Sequence, residues 1–175
     1  MNFVSTLQLI VASLFGIALL YASYSDLKAF VIPNAVSFFL VALFAVAYVL
    51  VPGTGPLINH LGAAVLVFLV GFGLFGLGLF GGGDVKLWAS VALWFGFDQL
   101  PIQVALVILA GGALGIGLYA IRLVLAQDRV LAVVGLTGAL PRVLQVGEAV
   151  PYGVAIAIGS ILAFRNSPFF PGLAL

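Results

Sequence analysis

Apolar residues fill this chain in long runs, and the polar positions fall mostly between the runs. Runs of this length, cut by Gly, Pro and charge, predict membrane-type helices. The first covers about Leu7 to Tyr24 and ends at Ser25-Asp26-Leu27-Lys28. The second starts after Ile32-Pro33-Asn34 and reaches about Val51, where Pro52-Gly53-Thr54-Gly55-Pro56 makes a turn. The third spans about Leu57 to Phe80 and stops at Gly81-Gly82-Gly83. A shorter fourth runs from about Val85 to Phe97, ending at Asp98 before Pro101, and the fifth covers about Ile102 to Ala126. A mixed stretch leads from Gln127 to Glu148, and a sixth helix runs from about Val150 to Phe164. Residues 130–140 are apolar but too short to span, so 127–148 is expected to lie along one face of the membrane.

Composition makes the membrane reading firm. Of 175 residues, 65% are hydrophobic and 6% charged, with a mean hydropathy of +1.36. A soluble domain carries roughly a quarter charged residues, so lipid must cover most of this exterior. The expected fold is all-α and polytopic, with about six transmembrane helices in a single domain over residues 1–175. No Lys or Arg precedes Lys28, so the first run is read as a retained helix rather than a cleaved signal. Cysteine is absent, which excludes disulfides and thiol chemistry. Six scattered basic residues form no patch for nucleic acid. One His and few acids offer no metal set, and no cofactor is expected.

Charge sets the orientation. With six spans, Lys28, Lys86, Arg122, Arg129 and Arg142 share one side, and Arg165 alone lies on the other. The positive-inside rule makes the first side cytoplasmic and places both termini opposite. The arginines are expected to anchor this topology and attract anionic lipid. His60 and Asp98 fall on the far side, His60 as an interfacial residue. Trp88 and Trp94 are expected as interfacial anchors or as core. Glu148 is a spare carboxylate near the first side.

Ionisable groups at membrane depth are costly and by default suggest function. Asp26 and Asp84 reach the same depth on the same side, from helix ends far apart in sequence. Two carboxylates brought together share one proton, giving one base and one acid. Gly81, Gly82 and Gly83 would let backbone or an extended substrate approach closely. From the residues alone, solvated boundary groups balanced by Lys28 and Lys86 are the more common reading of both aspartates.

The motifs around them resemble a known family. Gly81-x-Gly83-Asp84 matches the GxGD signature of intramembrane aspartyl proteases, and Gly81 through Lys86 and Leu87 is similar to the prepilin-peptidase form GxGDxKL. Asp26, followed by Ile32-Pro33-Asn34, resembles that family's first motif, and Pro151-Tyr152-Gly153 a third. The resemblance implies catalytic aspartates at Asp26 and Asp84, with Gly81, Gly83, Lys86, Pro33, Asn34, Pro151, Tyr152 and Gly153 in support. It implies an endopeptidase that removes leaders from type IV prepilin-like substrates at the cytoplasmic face of a bacterial inner membrane. Its partners would be a peptide substrate and membrane lipid, with the oligomeric state open. The paired CxxC motifs that accompany N-methylation in larger members have no counterpart here, so methyltransferase activity is not expected. The chain looks like the short, TadV/CpaA-type peptidases of Flp or Tad pili. The family's Arg near the first motif is unmatched, since Lys28-Ala29-Phe30-Val31 occupies that stretch. An ion-coupled transporter or channel using the same aspartates is the alternative, and a non-catalytic membrane subunit a further one.

Overall fold

The computed structural model describes residues 3–126, 140–164 and 167–169. Within them the chain forms α1 (Phe3–Ala29), α2 (Asn34–Leu50), α3 (Leu57–Gly76), α4 (Gly82–Ala92), α5 (Gly96–Leu125) and α6 (Tyr152–Phe164). A 3₁₀ turn at Arg142–Leu144 precedes α6, and no strand occurs among the described residues. The fold is all-α, as its apolar runs predict.

Helices α1, α3 and α5, with 27, 20 and 30 residues, are long and apolar enough to cross a membrane. α2 and α6 are apolar but shorter, at 17 and 13 residues. The 11 residues of α4 rise only about 16 Å, against a hydrocarbon core of about 30 Å. α4 instead sits inside the bundle, packed on α2, α3 and α6, with Leu87, Trp88, Val91 and Ala92 buried. Around it, α1 packs on α2 and α6, and α5 on α3 and α6. Side chains such as Phe38, Ile58, Phe72 and Ile116 turn outward. So much exposed apolar surface is incompatible with water and suits lipid.

Several helix ends differ from the sequence expectation, each for a local reason. α1 continues through the polar stretch to Ala29 and is closed by Phe30 in the left-handed region (φ 54°), whose N–H donates to the Asp26 carbonyl at 2.8 Å. Ser25 Oγ donates to the Val31 carbonyl at 2.7 Å and turns the chain. Asp26 is thus in the last turn of a helix rather than in a loop. α3 stops at Gly76 and not at Phe80, because Gly78 (φ 73°) forms a left-handed cap. Its N–H bonds to Phe75 O at 2.9 Å, and the Leu79 N–H reaches Leu74 O at 3.0 Å, the double closure of a Schellman end. The glycines at Gly81 to Gly83 open α4, which starts three residues before the expected Val85. α5 begins at Gly96 (φ 60°) and carries Pro101 inside its second turn.

The polar residues away from the motifs hold the bundle. His60 is buried within the bundle. It is 1% exposed, with Nδ1 2.6 Å from Leu93 O and Nε2 2.8 Å from Thr54 O. Its ring lies among Phe44, Tyr48 and Phe169, where Trp94 is also buried. Trp88 is core as well: its Nε1–H donates to Gln103 Oε1 (3.1 Å), and Gln103 Nε2 donates to Ser160 Oγ (3.0 Å), linking α4, α5 and α6. Arg122 is buried and bound to protein rather than to lipid. Its guanidinium donates to the carbonyls of Val143 (2.9 and 3.1 Å), Glu148 (2.7 Å) and Ala149 (2.9 Å). Arg129 and Arg165, with 127–139 of the expected surface-lying segment, are outside the described residues.

Candidate active site

Three chain ends meet at one end of the bundle: the last turn of α1, the first turn of α4 and the first turn of α6. Asp26 and Asp84 line a single cavity of about 490 Å³ together with residues 30–34 and Gly81 to Gly83. The carboxylates are close enough for the charge of Asp26 to act on Asp84. Asp26, 5% exposed, accepts the Gly153 N–H on Oδ2 at 2.8 Å. That N–H also faces Asp84. It belongs to the first turn of α6, where amide donors have no intrahelical acceptor and favour anions.

Asp84 is held from its own helix. Gly81 is the N-cap of α4, and its N–H donates to Asp84 Oδ2 at 3.2 Å. This is half of a capping box, since glycine has no side chain to return the bond. Asp84 Oδ1 is buried and bonds to nothing among the described residues, which is unusual for a buried oxygen outside a functional site. No basic side chain pairs with either carboxylate: the one salt bridge among the described residues joins Arg142 to Glu148 at 3.2 Å.

The glycines are explained by close approach. A Cβ on Gly81 would lie 2.8 Å from Asp84 Oδ2, and one on Gly83 3.2 Å from Ile32 Cβ. On Gly153 it would lie 2.7 Å from Ile32 Cδ1 and 2.9 Å from Asp26 Oδ2. Ile32 is therefore the buried packing centre on which the α4 and α6 turns both close. The sequence marks Ile32 only as part of the Ile32-Pro33-Asn34 motif, and its packing role appears once the two turns close on it.

The residues with implied support divide. Pro33, the N-cap of α2, and Asn34 line the dyad cavity. Pro151 is buried and starts the α6 turn. Tyr152 lies behind the cavity, with its ring 4.6 Å from that of Phe80 and its hydroxyl pressed on Gly111. Lys86 faces a neighbouring groove and donates to Asn34 Oδ1 at 3.1 Å. Arg142, expected only as a topology anchor, has its guanidinium 5.2 Å over the ring of Phe30, a cavity residue, while it pairs with Glu148. Among the described residues no three His, Asp or Glu side chains gather as a metal set.

Residues 13–116, more than half of the chain, match the type IV leader peptidase family. The chain belongs to the type IV leader peptidase family. The matched region contains both Asp26 and Asp84. The chain is similar to a prepilin leader peptidase/N-methyltransferase of Bacillus subtilis (strain 168), with 29% identity over 160 residues. That alignment covers 91% of this chain and 56% of the relative, so the chain spans little more than half of the relative's length. No solved structure matches it.

Proposed function

We propose that this chain is an aspartyl endopeptidase that removes leader peptides from type IV prepilin-like substrates, of the Flp or Tad type, at the cytoplasmic boundary of a bacterial inner membrane. The observation that carries the reading is the meeting of Asp26 and Asp84 in one cavity, 58 positions apart in sequence and without a counter-cation. Family membership supplies the substrate class.

In this mechanism the pair holds one proton between its two carboxylates, because two adjacent negative charges repel. One carboxylate takes a proton from water as its oxygen attacks the scissile carbonyl carbon. The other first hydrogen-bonds to the carbonyl oxygen, and the proton then passes to the leaving amine as the C–N bond breaks. A free carboxyl-terminated leader and a new amino terminus result, and the dyad regains its starting state. The Gly153 N–H fixes Asp26 throughout, and Gly81 fixes Asp84. Gly81 to Gly83 leave backbone open for an extended segment of substrate.

The test is incubation of the membrane-embedded chain with a Tad-type prepilin, read as a mass shift of the substrate. Asp26→Asn and Asp84→Asn are each expected to lower cleavage by at least about a thousandfold, with insertion and expression unchanged. Cleavage by Asp84→Asn within tenfold of the parent would overturn the dyad.

A further inference from the structure

The faces of α4 and α6 that meet at the dyad are tied together a second time, deeper in the bundle. Helical spacing puts Trp88 on the face of α4 that bears Asp84, one turn and about 6 Å further in. It puts Ser160 on the face of α6 that bears Gly153, two turns and about 10 Å further in. Gln103 of α5 stands between them. Gln103 and Ser160 are wholly buried, and Trp88 nearly so. An indole nitrogen can only donate, so the amide oxygen of Gln103 faces Trp88 at 3.1 Å and its NH₂ is left for Ser160 Oγ at 3.0 Å. α4 packs on α6 but scarcely on α5, and the two long side chains span that distance.

Apolar contact leaves the α5–α6 seam free to slide. Gly159 brings α6 so close to α5 that a Cβ there would lie 2.5 Å from the Val107 nitrogen. Small residues allow this approach and offer no knob to lock it. A hydrogen bond has a set length and direction, so a polar group among apolar ones fixes register where packing does not. Its contribution to stability is modest, since an apolar side chain of equal size fills the same space. The dyad is where register is felt. The Gly153 N–H donates to Asp26 at 2.8 Å and also faces Asp84. A slide or turn of α4 against α6 therefore moves one carboxylate relative to the other.

We infer that Gln103 is a positioning residue of the peptidase: bound to Trp88 and Ser160, it holds Asp84 of α4 in place against Gly153 of α6, and through Gly153 against Asp26. The inference rests on the peptidase reading and deepens it. Gln103 does not line the dyad cavity, so it acts on cleavage only through the two helices it joins.

The experiment uses Gln103→Met, which keeps the length and volume of the side chain and removes both hydrogen bonds. In the full chain in membrane vesicles, with a Tad-type prepilin as substrate, kcat should fall about tenfold or more while KM changes less than about threefold. The pH–rate profile should narrow, because mutual repulsion separates its two limbs less once the carboxylates are held less closely. A role in stability alone predicts less folded protein, with the profile of the remainder unchanged. Native kcat per folded molecule, or a lowered kcat with the native profile, overturns the inference. Ser160→Ala removes a single hydroxyl and breaks only the α6 half of the bridge, which covers the case of a Gln103→Met chain that does not fold. It should lower kcat about threefold or more with the same narrowing, and native kcat and profile in that variant overturn the inference as well. Failure of the peptidase reading shows separately, as a native chain that leaves the prepilin uncut. Failure of the positioning role leaves the native chain and both variants cutting alike.

Discussion

At the scale of single residues, the candidate site is a problem of space as much as of charge. Gly153 supplies a backbone N–H to Asp26, and its missing side chain makes room for both the carboxylate and Ile32. Gly153→Ala keeps the backbone donor but sets a methyl 2.9 Å from Asp26 Oδ2. The carboxylate has to shift by a few tenths of an ångström, and small displacements of reacting groups cost up to about a hundredfold in rate. We expect cleavage to fall by about one to two orders of magnitude, with the thermal midpoint in detergent little changed. Ile32→Val removes the Cδ1 that the new methyl also meets at 2.7 Å. The double variant should remain slow, because relieving Ile32 leaves the carboxylate displaced. Full recovery in the double variant would assign the loss to packing on Ile32 instead.

At the scale of elements, the pieces that carry the site are held from outside it. The segment before α6 has no long helix to fix it, and Arg122 of α5 binds three of its carbonyls. Hydrogen bonds from a charged donor contribute about 1.5–3 kcal/mol each when partly buried, and the carbonyls left behind gain water only in part. Arg122→Met keeps the stem of the side chain and removes every donor. It should destabilise the chain by about 2–4 kcal/mol in mixed-micelle unfolding and lower cleavage, since the Gly153 N–H loses its anchor. Arg122→Lys cannot span the same carbonyls with one ammonium and should recover less than half of the lost stability; recovery to the native value would remove the fork geometry from the explanation. None of this was legible in the sequence, where an Arg at the end of an apolar run looks like a topology anchor. The runs themselves were legible, and α2 matches its expected bounds to within a residue. The ends of α1 and α3 were misjudged because they depend on which residue takes a left-handed φ. Phe30 and Gly78 do so, and neither is marked out beside the more conspicuous Ser25-Asp26 and Gly81-Gly82-Gly83. The two aspartates and the three motif turns were visible as motifs. What joins them, Ile32 under two glycines, appears only when the helices pack.

At the scale of the whole molecule, the bundle is polarised along its length. The end bearing the dyad also carries Lys28, Lys86, Arg122 and Arg142, while the described residues of the other end have no Lys or Arg and are closed by the His60 and Trp94 cluster. Basic residues near the ends of apolar helices are retained on the cytoplasmic side, so the proposed orientation puts the dyad there. The absence of cysteine permits a clean test with single introduced thiols. Leu79, in the turn between α3 and α4, and Val146, ahead of α6, are exposed at the dyad end, and Pro52 is exposed at the other. In intact cells a membrane-impermeant maleimide should label Pro52→Cys and leave Leu79→Cys and Val146→Cys unreacted until the membrane is opened. Labelling of Leu79→Cys from outside would place the carboxylates away from the cytoplasm, where a leader that has not crossed the membrane cannot reach them. Because α4 is too short to cross, the depth of Asp84 is set by the helices packed around α4. The same measurement at Leu79 therefore reports the position of the dyad itself.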